Sequence, residues 1–263
     1  MDTQLKGLRA LVTGASRGLG FATAVKLAQE GVKVAINSRS AENLASAAEK
    51  IYQAGGLKPF TIAGDVSQSG VPEQVVSQAV ETLGGLDLLV TNAGGPPAGR
   101  FEDLDATAWQ SAFELCLLMH VRLIRAALPA LRQSSAASVV TFTSYSAKQP
   151  IPNLVLSNSL RAGVLGLTKT LALEYGPAGI RFNSILPAWM DTERVTELME
   201  NRARMNGTSL EEEIQKQSRE SPLGRMGSAE ELANAAVFLL SPLSSYITGV
   251  MLTVDGGMYK ATV

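Results

Sequence analysis

The fold of this chain is decided by residues 8–20, which read LRALVTGASRGLG. An apolar run at residues 8–13 predicts a strand, and the helical period of residues 18–30 predicts a helix directly after the glycine-rich turn. Glycines spaced as Gly-x-x-x-Gly-x-Gly let the backbone turn tightly and approach a pyrophosphate closely. The start of the helix offers free N–H groups and the positive end of its dipole to phosphates. The stretch therefore predicts a dinucleotide-phosphate loop formed by Gly14, Ser16, Arg17, Gly18, Leu19 and Gly20.

Short runs rich in Val, Ile and Leu recur along the rest of the chain and alternate with segments of helical period. Such runs are typical of strands that helices bury on both faces, so they predict a parallel sheet. The alternation predicts a single α/β domain over residues 1–263, with a Rossmann-type doubly wound parallel sheet. Further strands are predicted at residues 32–36, 58–62, 86–91, 138–143, 180–186 and 250–254, and long helices at 41–54, 107–131 and 154–175.

One segment, residues 191–225, departs from this alternation because it contains no predicted strand. Two polar helical stretches, residues 192–205 and 209–220, are separated by Asn206-Gly207. The segment is either a solvated helical insertion or a lid over a substrate pocket, since long insertions at this edge of a sheet often serve as lids.

Composition excludes several classes of protein. Of the 263 residues, 46% are hydrophobic and 18% are charged, and a net charge of −1 with no basic block argues against nucleic acid or an anionic membrane as a partner. The single cysteine, Cys116, excludes an internal disulfide and fits a reducing compartment. The N-terminal residues lack an apolar signal core, and no apolar run is long enough to cross a bilayer. We expect a cytoplasmic protein that acts on a small molecule and has no metal site.

The end of the second predicted strand indicates which dinucleotide binds. It reads Asn37-Ser38-Arg39-Ser40, without the acidic residue that usually holds the ribose hydroxyls of NAD. Arg39 and Arg17 would flank the 2′-phosphate of NADP, because the guanidinium fork suits phosphate. The alternative is that both arginines are solvated surface residues. The sequence predicts NADP(H) rather than NAD(H).

Seven elements in the same order resemble a classical short-chain dehydrogenase/reductase over nearly the whole chain. They are Thr13 to Gly20, Asp65-Val66, Asn92-Ala93-Gly94, Ser144, residues 166–174, Pro187 with Thr192, and residues 254–257. The nearest subgroup is similar to the β-ketoacyl carrier-protein reductases (3-oxoacyl reductases). The resemblance also implies a homotetramer or homodimer, built by the helices at residues 107–131 and 154–175.

The same resemblance implies roles for individual residues in cofactor binding. Asp65 and Val66 would contact the adenine. Asn92, Ala93 and Gly94 would stabilise the central sheet and pass beneath the cofactor. Thr192, after Pro187, would hold the nicotinamide carboxamide.

The catalytic set that the family implies is largely replaced in this chain. The family uses a tyrosine as proton donor, a lysine four residues later, a serine that polarises the carbonyl, and an asparagine in an earlier helix. Here the serine is Ser144, while the tyrosine, lysine and asparagine positions hold Ser157, Arg161 and Cys116. An aliphatic hydroxyl is a far weaker acid than a phenol, and guanidinium stays protonated in proteins. Arg161 would still bind the ribose hydroxyls, but proton delivery must differ.

Tyr145 is the candidate substitute donor, because it follows Ser144 directly and precedes Lys148 by three residues. Pro150 and Pro152 place it in a loop. The alternative is a tyrosine at the rim of the pocket, since neighbours on an extended segment point in opposite directions. His120 lies in an apolar helix and is predicted to be buried there.

Three functions remain open from the sequence. The first is an NADP(H)-dependent oxidoreductase acting on a carbonyl or a secondary alcohol, with an atypical proton donor. The second is a catalytically impaired NADP(H)-binding protein that acts as a sensor or as a partner subunit. The third is a non-redox enzyme, such as a lyase or an isomerase, in the same pocket.

Overall fold

The structure, a computed structural model, describes residues 2–262. Its centre is a seven-stranded parallel sheet, in which the strands lie in the order β3 (Phe60–Ala63), β2 (Lys33–Ser38), β1 (Arg9–Val12), β4 (Leu88–Thr91), β5 (Ser138–Phe142), β6 (Arg181–Pro187) and β9 (Met251–Val254). The two halves wind in opposite directions from β1 and β4, which confirms the predicted doubly wound, single-domain α/β fold.

Helices cover both faces of the sheet. They are α1 (Gly18–Gln29), α2 (Ala41–Gln53), α3 (Val71–Leu83), α4 (Ala106–Phe113), α5 (Met119–Leu131), α6 (Val155–Tyr175), α7 (Glu193–Asn206), α8 (Leu210–Arg219) and α9 (Ala229–Leu240). Side chains alternate between two cores: Val12 packs in the α1, α2 and α9 core, whereas Leu11 packs in the α3, α5 and α6 core. Burial on both faces explains why the strands read as continuous apolar runs.

The long helix predicted at residues 107–131 is not regular. Between α4 and α5, residues Glu114–Leu118 form a π-helical turn, in which the extra residue per turn widens the backbone. Cys116 lies in this turn and is buried. Apolar periodicity cannot reveal such a turn, because it changes the register by only one residue.

Residues 191–225 are predicted to lack strands, but their first residue belongs to a two-residue strand. Met190–Asp191 (β7) pairs with Gly227–Ser228 (β8), so Asp191 belongs to a two-residue strand. The two predicted polar helices are α7 and α8. Gly207 ends α7 in a left-handed conformation, with φ of 66°, and Ser209 with Glu212 forms a capping box that begins α8.

Residues 2–262 contain no helix long and apolar enough to cross a membrane.

Candidate active site

Two glycines of the phosphate loop leave no space for a side chain. A Cβ added to Gly14 would lie 2.7 Å from the carbonyl oxygen of Asn92, and one added to Gly20 would lie 2.4 Å from the carbonyl oxygen of Gly14. Gly14 and Gly18 both have positive φ. No side chain caps α1, whose N-cap residue is Arg17, so its first N–H groups face the loop. This cradle fits a pyrophosphate, as the sequence predicts.

Asn92 fastens the phosphate loop to the end of β4. Its amide Nδ2 donates to the carbonyl of Gly14 at 3.1 Å, and its backbone N–H donates to Thr13 Oγ1 at 2.9 Å. Thr13 Oγ1 in turn donates to the Asn92 carbonyl at 2.8 Å. The segment through Ala93 and Gly94 therefore leaves the sheet beside the loop.

The residues expected around the adenosine lie at the ends of β2 and β3. Asn37 is buried and its amide donates to the carbonyls of Ile62 and Gly64 at 2.9 and 3.1 Å, which joins the two strand ends. Arg39 follows and is exposed. Asp65 accepts hydrogen bonds from the N–H and hydroxyl of Ser67, and Val66 is buried.

Arg17 points toward α7. Its Nη1 lies 2.5 Å from Glu193 Oε2 and 3.9 Å from Glu197 Oε1. Thr192, the residue before α7, donates its hydroxyl to the Met190 carbonyl at 3.3 Å. Pro187 ends β6.

Three serines meet at the end of β5 and the start of α6. Ser144 Oγ accepts a hydrogen bond from the N–H of Ser146 at 3.1 Å. The hydroxyl of Ser146 lies 3.2 Å from that of Ser157, and both residues are buried. Sequence reasoning missed Ser146; its place two residues after Ser144 was the available signal. It joins the two predicted serines through one short turn.

Arg161 lies one helical turn after Ser157 on the buried face of α6, as four-residue spacing requires. Its Nη1 donates to the carbonyls of Phe142 and Thr143 at 3.2 and 3.0 Å, and its Nη2 to that of Gly94 at 3.4 Å. Within residues 2–262, no carboxylate lies within ion-pair distance of Arg161. The site therefore holds a buried positive charge that only carbonyl dipoles offset.

The two other titratable groups beside Arg161 are poor acids at neutral pH. Burial lowers the pKa of His120 to about 3, with a further contribution from the positive charge of Arg161, and His120 Nδ1 lies 2.7 Å from Thr91 Oγ1. Burial raises the pKa of the Cys116 thiol. His120 is thus the buried residue that the sequence predicts.

Tyr145 is buried, and its segment is a turn and not the extended stretch that the sequence predicts. Residues Tyr145–Ala147 form a short 3₁₀ turn because Ser144 caps it. The turn directs the Tyr145 ring into an apolar cluster with Leu186, Trp189 and Met199, where only 5% of the residue is exposed. Burial raises the pKa of its phenol, which makes it a weaker acid. Lys148 donates to the Met251 carbonyl at 3.3 Å.

The arrangement combines a phosphate cradle, a fixed buried cation and a row of hydroxyls at the carboxyl edge of a parallel sheet. In open α/β sheets this edge is where ligands bind. The hydroxyls can donate hydrogen bonds to an oxygen that becomes negative, and Arg161 can favour that charge.

Comparison with known proteins agrees with the motifs. Residues 14–259 match the family model described as Enoyl-(Acyl carrier protein) reductase. The chain is 35% identical over 258 residues to an L-rhamnose 1-dehydrogenase (NAD(P)(+)) of a Sphingomonas species, with 97% of each protein covered. It is 30% identical to a 3-oxoacyl-[acyl-carrier-protein] reductase of Staphylococcus epidermidis, with 95% of this chain and 98% of the relative covered.

Among solved structures, the L-sorbose reductase from Gluconobacter frateurii complexed with NADPH and L-sorbose aligns with a TM-score of 0.94 and 32% identity. The alignment covers 99% of this chain and 100% of the reductase. Similarity of this extent, together with the ordered motifs and the seven-stranded sheet, shows that the chain belongs to the short-chain dehydrogenase/reductase family.

Proposed function

We propose that this protein is an NADP(H)-dependent oxidoreductase that interconverts a carbonyl compound and a secondary alcohol, with Arg161 and a serine row in place of a tyrosine–lysine pair. The observation that carries the proposal is the complete phosphate cradle, which opens toward the same sheet edge as Ser144, Ser157 and Arg161. The NADPH in the solved complex of L-sorbose reductase supports the choice of cofactor.

In this proposal the cradle residues from Gly14 to Gly20 hold the pyrophosphate, and Arg39 with Arg17 binds the 2′-phosphate. Asp65 and Val66 contact the adenine, and Thr192 after Pro187 holds the carboxamide. Asn92, Ala93 and Gly94 pass beneath the dinucleotide. Arg161 has five N–H donors, of which three bind carbonyls, so the others are available to the ribose hydroxyls.

When bound, the nicotinamide supplies or accepts a hydride. The protein's own part is to hold the substrate oxygen and stabilise its charge. Ser144 and Ser157 donate hydrogen bonds to that oxygen, and Ser146 orients the hydroxyl of Ser157. Arg161 favours the alkoxide by its fixed charge in a buried setting. The proton that completes the alcohol comes from water, because Tyr145, Cys116 and His120 do not serve as acids there.

The test is NADPH oxidation by purified protein over a panel of ketoses, aldoses, 3-oxoacyl thioesters and simple ketones, with NADP⁺ and the alcohols for the reverse reaction. Sugars and 3-oxoacyl compounds are included because relatives are named for them. We expect substrate-dependent turnover that Ser157→Ala lowers. Silence over the panel, with NADPH binding unaltered by Ser157→Ala, would count against the proposal.

A second candidate is a non-catalytic NADP(H)-binding protein, a sensor or partner subunit. It is favoured by one observation: each phenol, thiol and imidazole beside the site is buried, with a pKa shifted away from acid catalysis at neutral pH. This candidate predicts tight NADPH binding without turnover. Turnover gained by the double variant Ser157→Tyr with Arg161→Lys would show that only the acid is lacking.

We also propose that residues 191–225 form a lid that carries substrate specificity. Arg194 Nη2 donates to the Pro96 carbonyl at 3.0 Å, so the first turn of α7 reaches the loop after β4. The Arg202 guanidinium lies 4.6 Å from the centre of the Trp189 ring, which holds α7 above the apolar cluster. Protection of this segment from proteolysis by NADPH with substrate would support the lid; unchanged cleavage would contradict it.

The proposed assembly is a cytoplasmic homotetramer or homodimer formed through α6 and the helix at residues 107–131. The outer face of α6 carries the exposed Ala162, Gly163 and Gly166 and the 71%-exposed Leu173, which allow close approach of a second helix. A Cβ at Gly166 meets no atom within 4 Å in one chain. Gly166→Arg should therefore keep the fold and disrupt the assembly in sedimentation, and a monomeric wild-type protein would contradict the assembly.

A further inference from the structure

One ion pair joins the phosphate loop to the first turn of α7. Arg17 is the N-cap residue of α1, and Glu193 is the first residue of α7. Their side chains meet at 2.5 Å although 176 residues separate them in sequence. Glu197, one turn later, lies 3.9 Å from the same guanidinium nitrogen. The contact therefore connects the phosphate loop with the start of the proposed lid.

The two segments also approach each other at a second point. A Cβ added to Gly18 would lie 3.9 Å from Thr192 Cγ2, so the start of α1 faces the start of α7. Arg194 anchors the same turn of α7 to Pro96 on the other side. Glu193 thus presents its carboxylate from a fixed helix start, whereas Arg17 reaches it with a long side chain that is more than half exposed.

Two anionic groups can bind Arg17: the carboxylate of Glu193 and the 2′-phosphate of NADP(H). A carboxylate and a phosphate both match the guanidinium fork. The proposed function gives Arg17 a role at the 2′-phosphate of NADP(H), beside Arg39. The ion pair with Glu193 holds the Arg17 guanidinium against α7. The 2′-phosphate can bind this guanidinium only when that ion pair breaks. NAD(H) carries no 2′-phosphate and does not enter this competition.

We propose that Glu193 is a specificity-determining residue, which competes with the 2′-phosphate for Arg17 and so limits the preference for NADP(H) over NAD(H). The proposal rests on the proposed cofactor. It adds a consequence for the lid: binding of NADP(H), but not of NAD(H), releases the first turn of α7 from the phosphate loop. The dinucleotide that is bound would then decide whether the phosphate loop, in addition to Pro96, holds the first turn of α7.

The expected effect is modest because both side chains are exposed. Exposed ion pairs contribute little, and their loss changes an equilibrium by about 1.5- to 5-fold. Glu193→Gln should therefore tighten NADPH binding by about 2- to 5-fold at low salt and leave NADH binding unchanged. The gain should shrink as ionic strength rises, because salt screens exposed pairs.

The experiment is a fluorescence titration of the full-length protein with NADPH and with NADH at low and high salt. Glu200→Gln is the matched control, since Glu200 is exposed on the same helix and forms no ion pair with any residue from 2 to 262. It removes the same unit charge without touching Arg17. In an Arg17→Ala background, Glu193→Gln should have no effect on NADPH binding, which closes a double-mutant cycle.

The outcomes separate this inference from the proposed function. A rise of about two-fold or more in the NADPH/NADH affinity ratio for Glu193→Gln, absent in Glu200→Gln and in the Arg17→Ala background, supports it. An unchanged ratio, weaker NADPH binding, or an equal gain for both dinucleotides overturns it. Wild-type protein that binds both dinucleotides equally, or neither, overturns the cofactor assignment and this inference together.

Discussion

Replacing Arg161 by lysine should weaken the protein, although lysine is the residue that the family resemblance implies at this position. The guanidinium binds carbonyls from two segments, Phe142 and Thr143 at the end of β5 and Gly94 after β4. Lysine has one nitrogen, on a shorter side chain, and it cannot span both segments. At least one buried carbonyl then loses its donor.

A hydrogen bond to a charged group contributes about 1.5–3 kcal/mol. Loss of one such bond should lower the free energy of unfolding of Arg161→Lys by about that amount. For a chain of this size each kcal/mol shifts the melting temperature by about 2–4 °C, so we expect a decrease of about 3–12 °C. Arg161→Met, which removes all three bonds and leaves the carbonyls of Phe142, Thr143 and Gly94 without this donor, should be less stable still.

The assay is urea denaturation followed by circular dichroism, with thermal melting as a second measurement. Arg125→Lys serves as control, because Arg125 is exposed on α5 and an exposed substitution should stay within about 0.5 kcal/mol. If Arg161→Lys is as stable as the control variant, the guanidinium does not hold the two strand ends together and our account of the site is wrong.

Three further predictions concern the cofactor, the phenol and the lid. Arg39→Ala should raise the dissociation constant of NADPH by about 10-fold or more and leave that of NADH unchanged, in equilibrium titration, because a charge-assisted bond to phosphate is lost; equal effects on both would contradict the role of Arg39. Tyr145→Phe should keep kcat within about two-fold, because the phenol is buried in the apolar cluster and its pKa is raised, whereas loss of a general acid costs about 10²–10⁴-fold; a hundred-fold loss with an unchanged melting temperature would support Tyr145 as donor. Hydrogen bonds from Thr208, then Lys216 and Asn206, lower the pKa of Glu213 to about 2. The ionised Glu213 carboxylate therefore stabilises the folded protein fully above the ordinary pKa of a glutamate, and this stabilisation is lost as pH falls from there toward 2. The melting temperature of wild-type protein should therefore fall more steeply below pH about 5 than that of Glu213→Gln, and parallel curves would refute this.

Sequence patterns predicted the fold well because the central strands are buried on both faces. Continuous apolar runs are then unavoidable, and every predicted strand of the main sheet is present with ends shifted by two residues or fewer, as for residues 58–62 against β3. The phosphate loop was equally readable, since Gly14 and Gly20 leave no space for a Cβ. Backbone geometry that only glycine satisfies leaves a direct trace in sequence.

The contacts around the candidate site could not be predicted as well from the sequence. The π-helical turn around Cys116 and the two-residue pair β7–β8 involve too few residues to change a periodic pattern. Tyr145 looked available as an acid because it adjoins Ser144, but a 3₁₀ turn rotates its ring into the apolar cluster. Ser146 was not predicted because its role depends on a contact with Ser157, which lies eleven residues later in the chain.

The sequence by itself determined the strands of the parallel sheet and the cradle for a dinucleotide, because these follow from local periodicity and glycine conformation, whereas the order of the strands in the sheet comes from the structure. It also determined which groups replace the tyrosine and the lysine. Only the tertiary structure decided what those groups contact. It showed that Arg161 is held by carbonyls from two strand ends, that Ser157 meets Ser146, and that Arg17 pairs with Glu193. Hydrogen bonds and ion pairs between distant segments depend on distance and direction in space, which no pattern along the chain records.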